Sequence, residues 1–418
     1  MKANQAYHFL RYVDKVYGLD RALGNFKDGR EWAHVSLKAV LGSVVVGLIC
    51  GRESLNQIEG ALKDGLFDKA LGEMAKPSAD TIGYALKRMD VEELREYQSS
   101  IIQKARYNKV FSEGTVDGLA VAAIDGTELY RTKSESRSCP HCSVRTRDGV
   151  KEYYEKAVTV SYVGDGPALV IGMRRQEKGE GELPAAIALL KDLYWRNTRF
   201  CDVIVADALY AAAPFVNEAT SQGKWAVIRA KRDNYQVIQD ADGLFAERKP
   251  DFEEEGIREF KGSTYDVRVW DEEDFTSWDG VDGPVRCLKV EETRRFIKNG
   301  APATEETTTH IVTTCPKALV KPLTIWRIMH KRWGIENSVF HEAKTYCSLE
   351  HCFIHHEVAT EVFWMLQAIA LNLLALYKWR ALGREEREGI TLARLAQAVL
   401  STLLLLPEPV FKPPHRSG

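Results

Sequence analysis

An α/β architecture is what this 418-residue sequence predicts, and three observations predict it. Residues 1 to about 110 carry apolar side chains at helical spacing with few strand signals. From Leu119 onward, short β-rich runs alternate with amphipathic helices. Between Lys231 and Leu323 the pattern changes again, to short alternating runs separated by Gly, Asp and Asn turns, and helical periodicity then returns. The expected molecule is a mixed sheet with an antiparallel β insertion, an α-helical N-terminal domain and a helical C-terminal segment.

Taken in order, helices are predicted at Tyr7 to Val16, Val35 to Cys50, Ser54 to Leu62 and Val91 to Ala105. Between the last two lies P-S-A-D-T-I-G-Y-A-L-K-R-M-D, Pro77 to Asp90. With a polar cap at Ser78 or Asp80 and with Lys87 and Arg88 near its end, it reads as the DNA-reading helix of a helix-turn-helix. A plain surface helix with ordinary caps fits the same residues. Strands follow at Leu119 to Ile124, Ala157 to Val163, Ala168 to Met173, Asp202 to Ala206 and Trp225 to Ala230, with helices at Glu182 to Trp195 and Ala211 to Gln222. The glycines of K-G-E-G-E-L (Lys178 to Leu183) lack the ending of a phosphate loop, so the stretch is read as a helix entry and no nucleotide cofactor is assigned.

The insertion contains I-R-E-F-K-G-S-T-Y-D-V-R-V-W, V-R-C-L-K-V-E-E-T and T-T-T-H-I-V-T-T. Two apolar helices, Val358 to Trp379 and Leu392 to Leu405, come after it, divided by the charged Arg384 to Glu388. The Pro-rich end, P-E-P-V-F-K-P-P-H-R-S-G, is expected to be disordered.

Composition narrows the function classes. A 45% hydrophobic content is ample for a core, and 57 Lys and Arg against 59 Asp and Glu rule out a globally basic coat, so any nucleic-acid contact must be local. The apolar stretches Val40 to Cys50 and Val358 to Tyr377 are too short or are broken by polar residues, which argues against a membrane span. The polar, aromatic start carries no secretory pattern and the eight cysteines are scattered, so reduced thiols in a cytoplasmic, nucleoid-associated protein are expected. Cys50, Cys201, Cys287 and Cys315 stand singly in apolar contexts and read as core residues.

The stretch most charged with chemistry is W-R-I-M-H-K-R-W-G-I-E-N-S-V-F-H-E-A-K, Trp326 to Lys344. On a helix, Arg332, Glu336 and Val339 or Phe340 share one face. Alone, Arg332 and Glu336 would be a solvated pair of little energetic weight. Two aspartates change that reading: Asp125 closes the apolar L-A-V-A-A-I-D and Asp207 closes C-D-V-I-V-A-D. Three carboxylates on separate elements suggest a divalent-metal cage.

The order I-D-G-T, then V-A-D-A-L-Y, then R-W-x-I-E-x-x-x-F-x-x-x-K resembles bacterial insertion-sequence transposases of the DDE type, in the branch with a β-strand insertion and a Y-R-E-K signature. The resemblance runs from about Leu119 to about His356. Two positions depart from it: Met329 stands where the signature has tyrosine, and Lys344 follows Glu336 by eight residues rather than seven.

The resemblance implies an RNase H-like catalytic core, with the first carboxylate on the first strand, the second just after the fourth and the third on a later helix. It implies two Mg2+ or Mn2+ ions for phosphodiester cleavage and strand transfer, with Asp125 holding both and Asp207 and Glu336 one each. The implied partners are double-stranded DNA, as terminal inverted repeats and as target, and a second copy of the chain in a synaptic homodimer. Expected domains are a DNA-binding 1–110, a catalytic 111–231 with 321–380, a β insertion 232–320, and a C-terminal helix and tail 381–418. A catalytically inactive DNA-binding descendant and a metal-dependent nuclease on the same fold are the competing classes. The intact carboxylates argue against the first, and the second has no need of the N-terminal helices or the insertion.

Basic residues Arg327, His330, Lys331, Arg332 and Lys344 cluster near the last carboxylate, where they are expected to grip DNA phosphates. Trp326 and Trp333 are candidates for stacking on a base, with a core role the alternative. Finally, C-P-H-C (Cys139 to Cys142) and C-F-I-H-H (Cys352 to His356) together supply a tetrahedral zinc set of Cys139, Cys142, Cys352 and His355, with His356 able to replace His355. Read separately, the first is a redox pair and the histidines are surface residues.

Overall fold

A ten-stranded sheet runs the length of the molecule. The computed structural model describes residues 4–138, 142–231, 235–260, 262–346 and 348–412. Its strands are β1 (Val121–Thr132), β2 (Ser143–Arg147), β3 (Val150–Tyr162), β4 (Leu169–Arg175), β5 (Val203–Ala206), β6 (Trp225–Ala230), β7 (Phe252–Glu259), β8 (Ser263–Phe275), β9 (Val285–Lys298) and β10 (Ala301–Thr313). The order is β2-β3-β1-β5-β6-β10-β9-β8-β7, and β4 pairs with the second half of β3. Strands β1, β5 and β6 are parallel, while β1, β3 and β4 are antiparallel, which is the arrangement the sequence motifs implied. All four residues of β5, V-I-V-A, are buried, as expected of a short central parallel strand covered on both faces.

The insertion is continuous with this sheet. Strand β10 pairs antiparallel with β6, from His310 opposite Ala230 to Thr313 opposite Val227. The β9–β10 turn is Asn299-Gly300 with both φ positive, the two-residue turn whose twist suits a hairpin. The sequence reading took I-R-E-F-K-G-S-T-Y-D-V-R-V-W as one strand, whereas it folds as the β7–β8 hairpin. A helix within the predicted β region, Gln236–Phe245, was also not foreseen.

The N-terminal helices are α1 (Gln5–Tyr17), α2 (Leu19–Asn25), α3 (Leu37–Ile49), α4 (Leu55–Lys63), α5 (Asp68–Leu71), α6 (Ala79–Leu86), α7 (Val91–Tyr107) and α8 (Val110–Glu113). Later come α9 (Glu182–Arg196), α10 (Ala213–Ser221), α11 (Gln236–Phe245), α12 (Pro322–Lys331), α13 (His341–Tyr346), α14 (Glu357–Ala381), α15 (Arg384–Gly389) and α16 (Leu392–Thr402). Between α12 and α13, Ile335–Phe340 form a π-helical turn.

The sheet separates two cores by simple alternation. Ala122, Ile124, Ile204 and Ala206 point into the larger core, shared with the N-terminal helices, α9, α14 and α16. Val121, Ala123, Val203 and Val205 point into the second, with Val267, Val269, Leu288 and Val290 of the insertion and Ile325, Ile328, Ile335 and Val339 of the α12 region. The N-terminal helices therefore have no core of their own: α14 packs on α1, α3 and α7, and the Gln5 amide donates to the Tyr377 hydroxyl at 3.0 Å.

Helix α14 is long and apolar enough to cross a membrane, but 89% of its most apolar window is buried within the protein. Its Asn372 explains one polar interruption. The side chain accepts from Val170 N at 2.8 Å and donates to Val170 O at 2.7 Å, satisfying a β4 residue beside a register shift in the β3–β4 pairing.

The expectation of a disordered C-terminal end is corrected as far as Lys412. Val410 N and Phe411 N donate to Ala70 O at 3.2 and 3.1 Å, Lys412 N donates to Asp20 Oδ1, and the Phe411 side chain is fully buried. An aromatic residue inside a Pro-rich run is enough to dock it. Residues 413–418 lie outside the described residues.

Candidate active site

Asp125 does not end its strand. The apolar run stops there, but β1 continues to Thr132, with Asp125 opposite Thr159 and Gly126 opposite Val158. The Asp-Gly pair is thus extended backbone rather than a turn. Asp207 follows the last residue of β5 and caps a short turn over Ala208–Tyr210, its Oδ1 accepting from Leu209 N at 2.8 Å. Counting in twos from Val121 and from Val203, both aspartates fall on the face of the sheet that carries α12.

Glu336 comes from that side, on the π turn. Pro322 opens α12, and the Arg332 N–H is shared between Ile328 O and Met329 O as the helix changes pitch. Ile335, Val339 and Phe340 are buried in the second core. Gly334 permits close approach to the sheet, since a Cβ there would stand 3.3 Å from Val163. The start of α12 is fixed by the insertion: the buried Arg286 guanidinium donates twice to Asp271 at 2.6 Å and once to Val320 O at 2.8 Å.

Arg332 joins these carboxylates. Its side chain is 5% exposed, donates to Glu336 Oε1 at 2.9 Å and reaches to 4.0 Å from Asp125 Oδ2. Burial, together with the negative charges of Asp207 and Glu336, pushes the Asp125 carboxyl up to about 7, against the opposing pull of Arg332. Asp125 and Glu336 thus flank one buried guanidinium, and Asp207 is near enough for its charge to act on Asp125. The family described as Transposase DDE domain matches residues 118–373, which include all three.

The chain belongs to the DDE-domain transposase family. Comparison with curated proteins gives no match. Family membership implies DNA transposition and DNA binding, and transposases of this family generally use divalent metals. Hard oxygen donors whose negative charges act together on the buried Asp125 carboxyl suit such an ion. Among the described residues, however, no group of three or more His, Cys, Asp or Glu converges tightly enough to hold a metal as it stands. The carboxylates are coupled through charge rather than contact.

The basic residues of this DDE-domain chain are not arrayed as the sequence suggested. Arg332 is buried beside the carboxylates and is a structural partner of Glu336 rather than a surface cation. Arg327 binds Glu259 at 2.6 Å and Asp117 at 3.1 Å, Lys331 binds Asp165, and Lys344 binds Glu350 at 2.8 Å. Arg327 and Lys331 face a cleft of about 2050 Å3 between α12 and the insertion, and none of the three carboxylates is among the described residues that line it. Trp326 is buried, donating to Glu292 Oε2 at 2.6 Å, which settles its role as a core residue, while Trp333 is 46% exposed under the Arg332 guanidinium. Met329 is buried in the second core.

Ser78 is the cap of α6, accepting from Thr81 N at 3.2 Å, and Lys87 and Arg88 are exposed at the helix end, with Arg88 over the Tyr84 ring. Of the Cys/His set, Cys139 lies outside the described residues. The Cys142 thiol is buried 4.0 Å from Glu155 Oε1, and Glu155 pairs in register with Tyr130. The Tyr130 hydroxyl is 3.4 Å from His355 Nδ1, which is also 3.4 Å from Cys352 Sγ. Between the described parts of the two halves stand Glu155 and Tyr130. His356 is committed elsewhere, as the N-cap of α14.

One acidic residue was passed over. Glu182, first residue of α9, accepts from the Tyr210 hydroxyl at 2.9 Å, and its charge contributes to raising Asp125. In the sequence, K-G-E-G-E-L reads only as the entry to the helix that begins at Glu182. The available signal was an acid in the first turn of the helix after the third strand of the core.

Proposed function

We propose that this chain is a catalytically competent DNA transposase that cuts and joins the ends of its own element, with Asp125, Asp207 and Glu336 holding Mg2+ or Mn2+. The observation that carries the reading is that Asp125 on β1 and Glu336 on the π turn share the buried Arg332, while the charges of Asp207, just after β5, and of Glu336 act on the same Asp125 carboxyl. Two such ions would activate the attacking oxygen and stabilise the leaving oxygen in an in-line displacement at phosphorus. The chain's own part is to keep the carboxylates in place, with Arg332 fixing Glu336 and balancing charge beside Asp125. Its DNA partners would be terminal inverted repeats and target duplex, engaged by a homodimer.

The π turn also bears on the Y-R-E-K branch. Its i to i+5 hydrogen bonding takes up one residue more than an α turn, so a lysine eight residues beyond Glu336 would stand where the signature has one at seven. Phosphate gripping by Arg327, Lys331 and Lys344 then requires DNA to displace Asp117, Glu259, Asp165 and Glu350 from them.

The test is single-turnover cleavage of the element's own end in Mg2+. Asp125→Asn and Asp207→Asn should each cost about a thousandfold, the several kcal/mol expected of lost metal stabilisation, with end binding largely kept. Near-normal cleavage by either variant would remove that residue from the site. A structural zinc tying the segment after β1 to the segment before α14 is a second proposal, supported by His355 Nδ1 lying 3.4 Å from Cys352 Sγ. Purified protein should carry about one Zn2+ per chain, lost in Cys352→Ser; zinc-free protein with an unchanged melting temperature would dispose of it.

A further inference from the structure

Each aspartate motif carries a residue that a three-carboxylate site leaves unassigned: Gly126 after Asp125, and Tyr210 in the turn that Asp207 caps. Both have the same neighbour. A Cβ on Gly126 would stand 2.3 Å from the carboxyl carbon of Glu182 and 2.4 and 2.6 Å from its oxygens. A side chain there would displace the Glu182 carboxylate from this place. Gly126 alternates with Asp125 along β1, so Glu182 approaches from the α9 face and lies against a bare stretch of backbone, next to the residue whose carboxylate is on the other face. From the other motif, the fully buried Tyr210 hydroxyl donates to Glu182 Oε1 at 2.9 Å. A phenol so placed stays protonated and fixes the carboxylate's orientation.

An acid in the first turn of a helix ordinarily needs no more explanation than the helix dipole. That account leaves two things unexplained: why the neighbouring strand has no side chain where the carboxylate lies, and why a buried tyrosine is spent on a half-buried acid. Both follow if the carboxylate has to reach the site.

We propose that Glu182 is the fourth carboxylate of the divalent-cation site, admitted by Gly126 and oriented by Tyr210. The proposal rests on the assignment of Asp125, Asp207 and Glu336 as cation-holding residues. Glu182 would add a further negative oxygen donor for the ion, and Gly126 and Tyr210 would be positioning residues. The segment Asp125-Gly126 and the segment Asp207 to Tyr210 would then each supply one ligand and one support for the same fourth ligand.

Mn2+ binding to the full-length, DNA-free protein, followed by electron paramagnetic resonance titration, separates this from a structural role. Glu182→Gln keeps the shape and the acceptor for Tyr210, and should weaken Mn2+ binding about 10- to 100-fold with an unchanged or higher melting temperature in the absence of metal. Tyr210→Phe should weaken it several-fold, and Gly126→Ala should approach the loss in Glu182→Gln although every carboxylate is retained. Asp125→Asn is the reference. If it loses Mn2+ while Glu182→Gln binds within twofold of wild type, the fourth-carboxylate inference is overturned and the three-carboxylate reading stands. If Asp125→Asn also binds normally, or the wild type binds no Mn2+, both fall. Should Glu182→Gln fail to fold, Tyr210→Phe decides, with a change under twofold counting against the inference.

Discussion

Arg332–Glu336 and Arg384–Glu388 are the same pair on paper: arginine, then glutamate four residues on, joined at 2.9 Å in both places. Their surroundings share nothing. On α15 both side chains are mostly in solvent, at 83% and 63% exposure, and in such a place an ion pair contributes about 0.3–0.5 kcal/mol. Beside β1 the arginine is 5% exposed, is shared with Asp125, and has Asp207 near enough to act on the same carboxyl. Spacing makes a pair; what else the cation must neutralise makes a site.

The contrast can be broken at three strengths. The largest effect belongs to chemistry: Glu336→Gln should lower strand cleavage about a thousandfold and Glu388→Gln less than about twofold, in the same single-turnover assay. Equal rates for the two variants would erase the distinction.

Next comes the pH dependence of stability. The folded Asp125 carboxyl keeps its proton up to about 7 against an ordinary value of 3.8, so between those limits the folded state binds more protons than the unfolded one. Stability of the metal-free protein should therefore fall as pH rises from about 4 to about 7, by up to about 4 kcal/mol at roughly 1.36 kcal/mol per unit. Asp125→Asn should flatten this slope, and so should Mn2+, which replaces the proton as the countercharge. Wild type and Asp125→Asn running parallel in urea melts across that window would sink the argument.

The smallest effect is on folding at fixed pH. Arg332→Ala leaves Glu336 uncompensated beside buried surroundings and should cost about 1–3 kcal/mol, while Arg384→Ala should stay within about 0.5. Urea midpoints of the two variants measure the difference directly.

These pairs also mark how far the sequence could be read. Strands β5 and β6 were legible within a residue, because an uninterrupted apolar run closed by a turn residue has few other uses. Strand β1 was read short, since Asp-Gly-Thr resembles a turn until Thr159 and Val158 are seen opposite it. The β7–β8 turn passed unnoticed because alternation runs through Phe260 and no Asn-Gly marks it. Asp125, Asp207 and Glu336 stand out as candidates because each ends or follows a strongly patterned run. Glu182 does not: the role proposed for it depends on a missing side chain 56 residues earlier and on a hydroxyl 28 residues later, relations that only the folded chain expresses. The ion pairs of Arg327 and Lys331 were hidden for the same reason, their partners lying on β7 and in separate loops.

The docked C-terminal end has a consequence for synthesis. Helix α1 packs against α14 and α16, Ala6 N donates to Thr402 Oγ1 at 2.8 Å, and the chain from Val410 to Lys412 closes over Ala70 and Asp20. The face of α1 that packs on α14 and α16 thus stays uncovered until those helices have been made, although α2 and α7 can pack on α1 earlier.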